Sequence, residues 1–115
     1  MDKQQHGQSA ERIAEQVLVQ AGLQIYARNF RSRYGEIDLI ARDPRTWVFC
    51  EVRLRRSRRW GGAAESITRC KQQRIVATAV YFLKTHSEAP CRFDVLLLEA
   101  LDIDHVEWIK DAFRP

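Results

Sequence analysis

Two carboxylates, Asp38 and Glu51, lie in neighbouring segments that alternate like strands, GEIDLIARD and FCEVRLRRS. Between them Asp43, Pro44, Arg45 and Thr46 are turn formers. A loop of two or four residues centred on Pro44 and Arg45 sets Asp38 opposite Glu51 across an antiparallel hairpin. Proline cannot take the positive φ of a primed two-residue turn, so a four-residue loop around a type I turn is favoured; a three-residue loop with a bulge would shift the register. Facing carboxylates have Cβ atoms about 5 Å apart and repel by roughly 1 kcal/mol in water, or 3 at an effective dielectric of about 20. A cation therefore belongs between them. A hard divalent ion, Mg²⁺ or Mn²⁺, takes one or two carboxylates together with waters and phosphate oxygens, which is what Asp38 and Glu51 can offer. The competing reading is an ordinary cross-strand ion network in which Arg53, one pleat along from Glu51, neutralises the pair and Glu36 is the partner of Arg53.

Directly after this segment come Arg53, Arg55, Arg56, Arg58 and Arg59, ending at Trp60 and two glycines. Of the 19 basic residues only four are lysine, and the formal net charge is +4. The arginine fork suits bidentate phosphate contacts, so Arg55, Arg56, Arg58 and Arg59 read as a track for a nucleic-acid backbone, or otherwise as a solvated basic loop. Trp60 reads as a base-stacking ring or as a cap on the core. Lys71, opening the next helix, reads as a phosphate contact or as a side chain lying over the core. The three histidines have no ligand spacing, and there is no CxxC pair, phosphate loop or nucleophile elbow, so a zinc site or an NTPase is not indicated. Cys50, Cys70 and Cys91 read as small buried apolar residues.

The elements that must hold these side chains follow from hydrophobic period. Ala10, Ile13, Ala14, Val17 and Ala21 recur at helical spacing, giving a helix over residues 9–20 with Ser9 as N-cap and Gly22 as stop. Residues 24–29 are weakly extended. Residues 34–42 form a strand with Ile37, Leu39 and Ala41 on one face, and residues 46–55 a strand with Phe49, Glu51, Arg53 and Arg55 on one side. A second helix spans 64–85, with Ile67, Cys70, Ile75, Ala79, Phe82 and Leu83 toward the core. Strands over 91–99 and 105–110 complete the chain, the first containing the run Val95, Leu96, Leu97 and Leu98 expected of a strand buried on both faces. The order α-β-β-β-α-β-β predicts one α/β domain over residues 1–115, a mixed sheet flanked by helices. No apolar run approaches the length of a membrane span or a signal peptide, which predicts a cytoplasmic protein with no membrane partner.

GEIDLIARD, FCEVRLRRS, WGGAAESI, Lys71 and RFDV, in that order, resemble the YraN-like family of uncharacterised bacterial proteins. The resemblance covers nearly the whole chain, from Gly7, Glu11 and Ala14 through Asn29 and Arg31 to Asp111, Ala112 and Phe113. That family is similar to the restriction-endonuclease-like superfamily, whose pattern is an aspartate and then Glu-x-Lys on the next strand. The resemblance implies a restriction-endonuclease-like core with Asp38 and Glu51 as catalytic metal ligands, and Glu11 as the auxiliary acid of some relatives. In the residues alone Glu11 is simply an acid in the first turn of a helix. Arg53 stands where the pattern places lysine. Arginine can hold a phosphate oxygen but cannot serve as a general base, so binding is expected to survive better than turnover.

Three functions fit this chain. The first is a metal-dependent nuclease acting on DNA or on branched or single-stranded nucleic acid, with Arg53 steadying charge. The second is a nucleic-acid-binding module with weak or lost catalysis, and the third a protein-interaction module with an acidic partner. A homodimer would suit an enzyme that cuts two strands, though nothing in the sequence marks an interface.

Overall fold

The computed structural model describes residues 3–54 and 67–115. The elements are α1 (Lys3–Gln20), β1 (Gln24–Ser32), β2 (Gly35–Arg42), β3 (Trp47–Leu54), α2 (Arg69–Thr85), β4 (Cys91–Leu98), a 3-10 turn (Ile103–His105) and β5 (Val106–Phe113). The α-β-β-β-α-β-β order is as the hydrophobic periods predict. One five-stranded sheet runs in chain order; β3 and β4 are parallel, joined across α2, and the other pairs are antiparallel. This mixed sheet with a helix on each face is an α/β fold consistent with a restriction-endonuclease-like core.

Each face carries its own core. On one, Ala10, Ala14 and Leu18 of α1 pack on Leu39, Ala41, Val48, Cys50, Leu96 and Leu98. On the other, Ile75, Ala79 and Phe82 of α2 pack on Ile40, Trp47, Phe49, Phe93, Val95 and Leu97. Phe82 anchors this side: Trp47 meets it edge-on at 4.9 Å and His86 stacks on it at 4.0 Å. The run Val95, Leu96, Leu97 and Leu98 is buried on both faces, as expected of the strand next to the parallel pairing.

Four local readings need correction. Helix α1 begins at Lys3, so Ser9 lies inside it rather than capping it. Its end is as expected: Gly22 has φ +95° and the N–H groups of Gly22 and Leu23 close on the carbonyls of Val19 and Leu18. Helix α2 begins only at Arg69, because the Thr68 side chain caps it by accepting from the Lys71 N–H at 3.1 Å. Ile67 is buried ahead of the helix. Cys70 and Cys91 are exposed, leaving Cys50 as the one buried thiol of the three. Ile37 packs with the α2-side core while Leu39 and Ala41 pack on the α1 side, so the alternation of β2 breaks at Asp38.

Candidate functional site

The break at Asp38 makes the site. The β2–β3 loop has four residues, with Asp43 Oδ1 accepting from the N–H groups of Arg45 and Thr46 at 3.0 Å each, and the hairpin keeps the register expected from that turn. Its last rung is Leu39 opposite Cys50, and the next positions along it are Asp38 and Glu51. There the strands fork. Beyond the fork the Val52 N–H donates to Asp38 Oδ2 at 2.9 Å, so a side-chain carboxylate stands where a main-chain carbonyl of β2 would have been. Glu51, two residues before Arg53 on β3, is 2% exposed.

Helix α2 closes the open end of the fork. Its first turn brings Lys71 Nζ to 3.3 Å from Glu51 Oε2. Gly35 permits this approach, since a Cβ there would meet the Arg74 Cβ at 3.2 Å. The result is a cleft of about 450 Å³ walled by Asp38, Glu51, Arg53, Lys71 and Arg74. Among the described residues, Glu51 Oε1 is buried in it with no hydrogen-bond partner. Burial, with the charge of Asp38 second, pushes the Glu51 carboxyl up to about 8, against the pull of Lys71. Burial also raises Asp38, opposed by the Val52 amide and Lys71. Two acids this close and this dry resist carrying two negative charges until a cation joins them.

The other expected residues divide clearly. Arg53 lines the cleft, and Lys71 is in it as the ammonium beside Glu51. Glu11, on α1 across the sheet, is half-buried and accepts from Asn29 Nδ2 at 3.4 Å. Burial raises its carboxyl, and the charges of Asp38 and Glu36 raise it further. Among the described residues no three His, Cys, Asp or Glu side chains are grouped closely enough to hold an ion. Glu36 lines the cleft and pairs with Arg31, its partner across the β1–β2 ladder, at 3.3 Å. Arg55, Arg56, Arg58, Arg59 and Trp60 lie outside the described residues. Sequence reasoning missed Arg74 and Gly35; the signal for Arg74 was its place one turn after Lys71.

The acid of RFDV is structural. Asp94 is fully buried and accepts from Arg92 Nε at 3.1 Å, from Trp108 Nε1 at 2.9 Å and from the Asp111 N–H at 2.9 Å, where φ is +54°. This locks the irregular end of the β4–β5 pairing. Asp94→Asn is expected to cost about 2 kcal/mol in chemical denaturation, by turning a charge-assisted acceptor into an amide that must point a donor at other donors.

The uncharacterised protein family UPF0102 matches residues 10–98, from α1 through β4. A UPF0102 protein of Methylobacillus flagellatus is 50% identical over 109 residues, covering 95% of this chain and 96% of the relative. Those of Nitrosomonas europaea and Saccharophagus degradans are 47% and 49% identical, each over 93% of the chain and 92% and 91% of the relative. With a family match from α1 through β4 that takes in the cleft, and relatives similar over almost their full length, the chain belongs to the uncharacterised protein family UPF0102.

Proposed function

We propose that this protein is a metal-dependent phosphodiesterase of nuclease type, with its reaction centre in the fork between β2 and β3. The observation that carries the reading is the buried Glu51 oxygen without a hydrogen-bond partner among the described residues, set beside Asp38 on a cleft that also presents Lys71 and Arg53. A buried acceptor left unsatisfied is costly, and a hard divalent cation with waters and phosphate oxygens suits two such carboxylates. That ion would supply Lewis-acid polarisation of the phosphate and of the attacking water.

The chain's own residues do the rest. Asp38 is held by the Val52 N–H, which fixes its carboxylate at the fork. Lys71 projects from a capped helix and offers a compact ammonium to a phosphate oxygen while staying within reach of Glu51. Arg53 and Arg74 widen the basic wall on which a phosphodiester backbone can rest. Lys71 thus brings to the cleft, from the helix, the kind of group that Glu-x-Lys motifs bring from the strand. A binding module without turnover is the second reading, favoured by arginine at position 53.

The deciding experiment pairs thermal melting with cleavage of labelled duplex, single-stranded and branched substrates. Mn²⁺ at about tenfold its Kd should raise Tm by about 5 °C, equivalent to about 1.4 kcal/mol. Asp38→Asn should remove both that shift and the cleavage. Indifference of the wild type to millimolar divalent ions would discard the metal site. A metal shift without cleavage of any substrate would put the binding module first.

A further inference from the structure

Beside the carboxylate cleft lies a second one, of about 390 Å³, lined by Ser32, Arg33, Tyr34 and Tyr81. Its two tyrosines come from different elements, the β1–β2 hairpin tip and α2, and are 41% and 46% exposed. Neither is loosely held. Ser32 Oγ meets Thr78 Oγ1 at 3.0 Å and also accepts from the Tyr34 N–H at 3.0 Å, which ties the hairpin tip to the helix turn preceding Tyr81. The Arg33 guanidinium lies 4.9 Å from the Tyr34 ring centroid and donates to its hydroxyl at 2.8 Å. Tyr81 is backed by Phe30, with ring centroids 6.2 Å apart and planes tilted by 32°. Two oriented rings with a guanidinium alongside form a surface for a flat, electron-rich group next to negative charge.

The two clefts adjoin at the hairpin tip. Tyr34 is followed directly by Gly35, which lines the carboxylate cleft together with Arg74. From Tyr34 to Asp38 is about 13 Å along a strand, or about four nucleotides at the rise of a stacked strand. We propose that Tyr34 and Tyr81, with Arg33, form a subsite for an unpaired nucleobase of the same strand whose phosphate rests on Lys71 and Arg53 beside the Asp38 and Glu51 carboxylates. This rests on the nuclease reading for its phosphate and on the tyrosine cleft for its base. A base inside a duplex has both faces covered by its neighbours, whereas an overhang, a flap or a flipped base presents a free face to a tyrosine. The substrate class is therefore nucleic acid with a single-stranded segment adjoining the cut, and Arg33 meets the phosphate beside that base.

The test is fluorescence anisotropy in EDTA on a blunt duplex and on the same duplex with a four-nucleotide overhang, in DNA and in RNA arms. Wild type should bind the overhang at least 10-fold more tightly than the blunt end. Tyr34→Ala and Tyr81→Ala should each reduce that ratio by about 10-fold with blunt-end affinity unchanged, as expected for loss of one base–ring stack. Tyr34→Phe and Tyr81→Phe should restore it, and they keep the fold if either alanine variant does not. A ratio unmoved by either alanine, no overhang preference, or no binding by wild type would overturn the subsite. Mn²⁺-dependent cleavage measured in parallel separates the two proposals. Tyrosine-dependent overhang binding without cleavage keeps the base subsite and removes the nuclease; Asp38-dependent cleavage with an unmoved ratio does the reverse.

Discussion

Glu51→Gln is expected to abolish metal-dependent cleavage, by at least about 1000-fold or 4 kcal/mol of barrier, while making the metal-free protein more stable at alkaline pH. Both effects come from one buried carboxyl. Its pKa rises from an ordinary 4.5 to about 8, chiefly through burial. Between those values the native state holds a proton that the unfolded chain has released, so this group lowers stability as pH rises across the window, and the full penalty is present above about pH 8. Glutamine carries no such penalty and can still accept from Lys71. Denaturant unfolding in EDTA should therefore show the variant about 1 to 3 kcal/mol more stable than wild type at pH 8.5 and nearly equal at pH 4. Added Mn²⁺ should reverse the order, because only the wild type gains from it, and that gain should grow with pH up to about 8, as the ion displaces the proton. Equal pH profiles for the two proteins would mean that Glu51 is not the strained acid of this site.

Lys71→Ala should lower cleavage by about 100-fold, while Arg53→Lys should change it by less than about 10-fold in either direction. The ranking follows from position. Lys71 reaches to 3.3 Å from Glu51 from a helix turn fixed by the Thr68 cap, so its ammonium already occupies the cleft. A lysine at position 53 would duplicate a charge that the helix supplies. Lys71→Arg should recover binding but little turnover, since the guanidinium is wider and always protonated. Single-turnover rates on a cleavable substrate, with anisotropy to report affinity, separate these effects. If Arg53→Lys were instead the variant that gains 10-fold to 100-fold, the strand position would be the one that matters and Lys71 an ion-pair partner only.

The hairpin was readable in the sequence because it is local. Four turn residues, one of them Pro44, fix the loop, and the loop fixes the register that carries Asp38 and Glu51 to adjacent places. The long-range part was not readable. Nothing in the alternation of GEIDLIARD tells that β2 leaves the ladder at Asp38 and that Ile37 crosses to the other core, because the fork depends on a side-chain acceptor replacing a carbonyl. The exposure of Cys70 follows from a helix start set by one threonine hydroxyl, which hydrophobic period does not register. In the sequence Lys71 reads as a phosphate contact or as a side chain lying over the core, and not as the neighbour of Glu51, since that contact spans the crossover between two parallel strands.

That parallel pairing also orders events in time. Asp38 and Glu51 belong to a tight antiparallel turn that can close in microseconds, whereas Lys71 arrives only when the segment joining Trp47 to Cys91 has looped back and β4 has paired. Until then the acids meet with no ammonium beside them, so the growing hairpin has reason to zip from Arg42 and Trp47 only as far as Leu39 and Cys50 and to stop there. The carboxylate end of the fork is then among the last parts of the molecule to form and the first to open, a late-closing mouth on an early-forming core.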